Sequence, residues 1–176
     1  MAHVPKRMTA AQVASYGVMT ALCLVLGYLE VLFPLPVAVP GVKLGLGNLI
    51  VLFALVAYGR KPAFVLMLFK VGSSAVLFGN PAVFPFSLAG GILSYAVMAL
   101  ALGGDRFSPL GASVLGGIAH NLGQLCMVAL LLGPAIALAN LPVLIVAGVI
   151  TGTAIGLICR GAFKALGTEE AGSAAF

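Results

Sequence analysis

Lys70 sits within an apolar run from about residue 62 to 79. An ammonium there is costly, so an ionisable residue inside an apolar helix is a functional candidate by default. At 1.5 Å per residue Lys70 lies roughly 13 Å from the start of the run, near the middle of a hydrocarbon layer about 30 Å thick. Ser73 and Ser74 follow one turn later on the same face. Two readings compete. Either Lys70 faces a hydrated or ligand-filled cavity, or it neutralises Glu30, the one acidic residue near the far end of the first apolar stretch. Depth opposes simple snorkelling to the interface.

A second polar group lies at similar depth. His120, Asn121 and Gln124 fall within one apolar run, with Gln124 four and three residues beyond the other two, so they share a broad polar face. Such groups either bridge helices or line a site. Ser87, Gly90, Gly91 and Ser94 form a small, weakly polar stripe at i, i+3, i+4 and i+7, suited to close packing or to a ligand beside the backbone. Between the first two apolar runs, Phe33-Pro34-Leu35-Pro36 and then Pro40 to Asn48 combine stiff turns, glycines and one cation, Lys43. Backbone N–H groups at a glycine-rich helix start can hold an anion, and Lys43 would reinforce them.

These residues need elements to hold them, and composition fixes the solvent. Of 176 residues 62% are apolar, 7% are charged and 23 are Gly. A soluble domain carries about a quarter of its residues as charges, so lipid is the natural surroundings. Pro, Gly and charge divide the chain into six apolar segments, about 10–33, 47–58, 62–79, 84–102, 110–132 and 137–159. The expectation is an all-α membrane protein, with six transmembrane helices in one compact bundle spanning 10–160. Residues 1–9 and 161–176 would be cytoplasmic ends. The second segment is short for a crossing unless the glycine-rich stretch before it dips into the membrane against protein or water. Six crossings put Lys6, Arg7, Arg60, Lys61, Arg106, Arg160 and Lys164 on one side, which is then the cytoplasm.

Several classes are excluded or weakened. The net charge of +5 has no basic run behind it, so nucleic acid is not an expected partner. Cys23, Cys126 and Cys159 are isolated and read as small hydrophobes. No metal site or cofactor is expected. Gly148, Gly152 and Gly156 form a small-residue seam suited to packing inside the bundle. Ala10 and Ala14, then Gly17 and Ala21, form another that packs internally or docks a partner.

The stretches PGVKLGLGN (Pro40 to Asn48), LFGNP (Leu77 to Pro81), SLAGGILS (Ser87 to Ser94) and GGIAHNLGQL (Gly116 to Leu125) together resemble the Gx transporter family, often labelled heptaprenyl diphosphate synthase component I. That family is similar to the substrate-binding S components of energy-coupling factor transporters. The resemblance implies a six-helix protein of the bacterial cell (inner) membrane that binds a vitamin-like solute at an outward-facing pocket. Such proteins dock through small residues of the first helix onto a transmembrane coupling subunit driven by two ATPases. Carried over, Lys43, Gly45, Gly47 and Asn48 become the lid and mouth, and Lys70, Ser87, His120, Asn121 and Gln124 the pocket. Ala10 and Ala14 become the docking pair. The family more often places Arg where Lys70 stands, so this chain offers a point charge in place of a bidentate fork.

The leading expectation is therefore a non-enzymatic uptake subunit for a small solute, anionic or mixed polar and apolar. Energy would come from partners, since no GxxxxGK phosphate loop occurs. The alternative is a non-catalytic membrane subunit assisting isoprenoid diphosphate or quinone-related lipid metabolism. Prenyl chain elongation needs clustered aspartates to hold Mg²⁺ on the diphosphate, and Asp105 has no second acid near it.

Overall fold

The computed structural model describes residues 9–32, 43–77, 81–104 and 107–167, and these are helical apart from short connections. The helices are α1 (Ala10–Leu32), α2 (Asn48–Tyr58), α3 (Arg60–Leu77), α4 (Phe84–Leu102), α5 (Pro109–Leu131) and α6 (Pro134–Ala165), with a single 3₁₀ turn, Pro81–Val83, before α4. The residues that begin and end them act locally. Gly59 separates α2 from α3 at φ 84°, a backbone conformation that favours glycine. Ser108 caps α5 by accepting from the Gly111 N–H at 3.2 Å, and Pro109 occupies the first turn, where its missing N–H costs nothing. Gly133 (φ 107°) precedes Pro134 at the start of α6.

Four helices, α1, α4, α5 and α6, are long and apolar enough to cross a membrane. The other two differ for distinct reasons. α3 has 18 residues but carries Arg60, Lys61 and Lys70. α2 has 11 residues, about 16 Å of helix, well short of a 30 Å core. The sixth helix is longer than its apolar segment implied. It starts at Pro134 and continues through Arg160 to Ala165, 32 residues with Pro142 inside.

Packing is densest where α5 lies between α4 and α6. The Gly148, Gly152 and Gly156 seam does pack internally, against α5. A Cβ on Gly152 would lie 2.6 Å from the Ser113 carbonyl oxygen, and one on Gly117 would run into the Gly148 carbonyl oxygen. Ser113 Oγ donates to the Gly152 carbonyl at 2.7 Å across the same contact. Without a hydrophobic drive between helices in lipid, this close approach and its hydrogen bond supply the cohesion. Gly91 performs a similar role on α4, where a Cβ would crowd Met67 and Val71 of α3 at 3.1 Å.

α1 is bound differently. Its buried residues are Met19, Cys23, Gly27 and Glu30, one stripe at helical spacing that faces α3 and α2. Ala10, Ala14, Gly17 and Ala21 are exposed, and a Cβ on Gly17 would meet nothing within 4 Å. The second small-residue seam thus has no partner within the described chain.

The two seams make opposite predictions. Gly152→Ala should cost about 1–3 kcal/mol through forced backbone displacement, whereas Gly17→Ala should leave stability unchanged or raised. Thermal unfolding of both variants in the same detergent checks this, and equal midpoints would contradict the α5–α6 contact.

Candidate functional site

The short segment Lys43–Gly47 runs over the polar groups of α3 and α5 before α2 begins. Its attachment is through Gln124. The Gln124 carboxamide accepts from the Lys43 N–H at 2.8 Å and donates to the Lys43 carbonyl at 2.9 Å. This is the pairing a neighbouring strand would provide, delivered by one side chain from α5. Buried backbone outside a helix requires such satisfaction. Lys43 also donates its ammonium to Ser74 Oγ at 2.6 Å, and Asn48, at the start of α2, accepts from Lys70 Nζ at 3.0 Å.

Two glycines make the close fit possible. At Gly45 (φ 81°) a Cβ would come within 2.8 Å of His120 Cδ2 and 3.0 Å of Asn48 Nδ2. At Gly47 it would lie 2.6 Å from Lys70 Cε. The Lys70 stem therefore passes beneath Gly47 to reach Asn48, and the His120 ring edge lies against Gly45. From the other flank, a Cβ on Gly90 would stand 2.9 Å from His120 Nδ1.

Beneath this strap is a small cavity. It is lined by Glu30 from α1, Lys43 from the strap, Lys70, Val71 and Ser74 from α3, Ser87 from α4 and His120 from α5. Its free volume, about 10 Å³ for the centre of a water-sized sphere, accommodates about one water molecule. Glu30, Lys70 and His120 are 6%, 5% and 3% exposed. Among the described residues Glu30 Oε1, Asn48 Nδ2, Ser94 Oγ and His120 Nδ1 are buried without a hydrogen-bond partner, Ser94 lying away from the cavity. Buried polar atoms are normally paired, and each orphan calls for an explanation.

The residues singled out by sequence divide into four groups. Lys43, Lys70, Ser87 and His120 meet at the cavity. Asn48 and Gln124 hold the strap, by the bonds just given. Asn121 turns away, donating from Nδ2 to the Leu144 carbonyl of α6 at 2.6 Å, and so fastens α5 to α6. Ala10 and Ala14 are remote from the site, on the exposed face of α1. The pairing of Lys70 with Glu30 weighed above is not formed: the Lys70 ammonium is bound to the Asn48 amide oxygen, and Glu30 Oε1 has no partner. Among the described residues no group of three or more His, Cys, Asp or Glu side chains is placed to hold a metal ion. The stretch from Phe33 to Val42, with its prolines, and Asn80 of LFGNP lie outside the described residues, as do Asp105 and Arg106.

Sequence reasoning left Glu30 and Ser74 out of the site. The signal for Glu30 was present in the register of α1, since Met19, Cys23, Gly27 and Glu30 share the stripe that packs. Ser74 lies one turn beyond Lys70.

The family description "Heptaprenyl diphosphate synthase component I" matches residues 19–161. The chain belongs to this family. The match takes in α2 to α5 whole, with most of α1 and α6, and therefore every residue that lines the cavity. No curated protein and no solved structure matches the chain.

Removing the strap's anchor should loosen it. Gln124→Leu leaves the Lys43 N–H and carbonyl unpaired at about 1–3 kcal/mol for each unsatisfied group, equivalent to about tenfold or more in the opening equilibrium. Amide hydrogen exchange at residues 43–47 should accelerate by at least that factor. Unchanged exchange would assign the hold to other contacts.

Proposed function

We propose that this chain is the membrane-embedded, solute-binding subunit of an uptake system energised by partner subunits. The observation that carries the reading is the convergence of costly polar groups from four helices and a strap on one cavity, at which Glu30 Oε1 has no hydrogen-bond partner among the described residues. A protein confined to a structural role gains nothing from leaving buried donors and acceptors unmatched, whereas a binding site matches them with its ligand. Lys43 and Lys70 supply positive charge to an anionic group, and Ser87 and His120 supply polar contacts. The strap over the cavity is the entrance, held shut by Gln124.

In this reading all six helices form the membrane domain, with both termini on the cytoplasmic side of a bacterial membrane. α2 and the strap together fill one crossing, which explains how a helix of 11 residues can serve. The exposed stripe Ala10, Ala14, Gly17 and Ala21 meets a transmembrane coupling subunit, and ATPase subunits act through that partner. Small residues allow such helices close approach. The chain itself performs no catalysis and needs no cofactor.

The family description favours a second reading, in which the chain is the membrane component beside a soluble heptaprenyl diphosphate synthase. A cavity charged as this one is would then meet a diphosphate or a quinone-related headgroup.

Mass spectrometry of small molecules that copurify with the full chain in mild detergent separates the two. A compact polar solute is expected from the wild type. Lys70→Ala and His120→Ala should each lower its occupancy tenfold or more while the protein stays monodisperse. Recovery of a polyprenyl diphosphate or quinone-like lipid would favour the second reading, and unaltered occupancy in both variants would remove these residues from the site.

A further inference from the structure

Among the described residues Glu30 is the one acidic side chain at a cavity that also holds two lysines. It is 6% exposed, and Oε1 has no hydrogen-bond partner. Neither lysine is turned to it as a hydrogen-bond donor: Lys70 donates to Asn48 Oδ1 and Lys43 to Ser74 Oγ, both neutral oxygens. Each ammonium has three N–H donors, so both retain capacity. Unused donors therefore remain on the lysines, and an unused acceptor stands at Glu30.

Charge sharpens the requirement. Two lysines face one acidic side chain at this cavity, so an anionic occupant balances the excess of basic groups. An anion with no donor of its own, such as chloride, would meet the lysines but leave Glu30 Oε1 without a donor.

We infer that Glu30 is a specificity-determining residue of this cavity, which takes a small organic anion whose anionic head meets Lys43 and Lys70 and whose hydroxyl or ammonium donates to Glu30. The inference rests on the reading of the cavity as a solute site and adds the class of solute. Glu30 acts in two directions. It repels simple anions, and it rewards those that carry a donor at the other end. A cavity lined by lysines alone would not discriminate between them.

Matched acids differing only in the donor provide the test. The full chain in lipid nanodiscs is titrated calorimetrically with 3-hydroxypropionate against propionate, and with 4-hydroxybutyrate against butyrate. In the wild type the hydroxy acid of at least one pair should bind about tenfold or more tighter, the worth of a hydrogen bond to a charged acceptor. In Glu30→Gln, which keeps the shape, the simple acid should bind more tightly than in the wild type. The advantage of the hydroxyl should fall at least about threefold, because the acceptor is now neutral. Equal binding within both wild-type pairs, or no gain for the simple acids in Glu30→Gln, would overturn the role of Glu30 while leaving an anion site in place. If none of the four acids binds either protein, the solute site itself is refuted and this inference falls with it. The wild-type comparison involves no substitution, so misfolding of the variant cannot rescue the proposal.

Discussion

The arrangement depends on how backbone outside a helix is satisfied where water is scarce. Helices meet their own hydrogen-bonding needs, but the Lys43–Gly47 strap cannot. Gln124 answers both polar groups of Lys43 with one carboxamide. The strap is thereby fixed over α3 and α5, which brings Gly47 onto the Lys70 stem and Gly45 onto the His120 ring. Substituting an apolar residue of similar size for Gln124 would preserve the packing volume and still forfeit the register of the strap.

The bundle supporting this strap is unevenly consolidated. The α4–α5–α6 part is locked by backbone-to-backbone approach, with Gly117, Gly148 and Gly152 leaving no room for side chains and Asn121 and Ser113 adding hydrogen bonds to α6 carbonyls. α1 contributes one buried stripe and leaves its small residues outside. Glu30 belongs to that less secured helix, while Lys70 and His120 belong to α3 and α5. The cavity is therefore bounded by one rigid wall, one helix held along a single face, and a strap.

Much of this was readable from residue order, because the punctuation is chemical. Gly59, Pro109 and Pro134 mark helix ends, though Pro142 lies inside α6, and the spacing of Gly148, Gly152 and Gly156 pointed to the close packing the fold shows. Lys70 and His120 were conspicuous because ionisable groups are rare in apolar runs. What escaped was direction. His120 and Asn121 are adjacent in the chain, yet about 100° apart around a helix, so one reaches the cavity and the other α6. Nothing in the sequence reveals that Gln124 binds backbone 81 positions away, since any backbone looks alike. Glu30 was obscured by the competing stripe on α1, whose small residues suggested an inward face that the fold turns outward.

If the cavity under the strap holds a solute as proposed, its small size, with room for about one water molecule, bears on timing as well as on selectivity. Any occupant larger than water must wait for the strap to lift before it can leave. Its residence time is then governed by the opening frequency of Lys43–Gly47, and compounds of quite different affinity would depart at similar rates while differing in how readily they are captured.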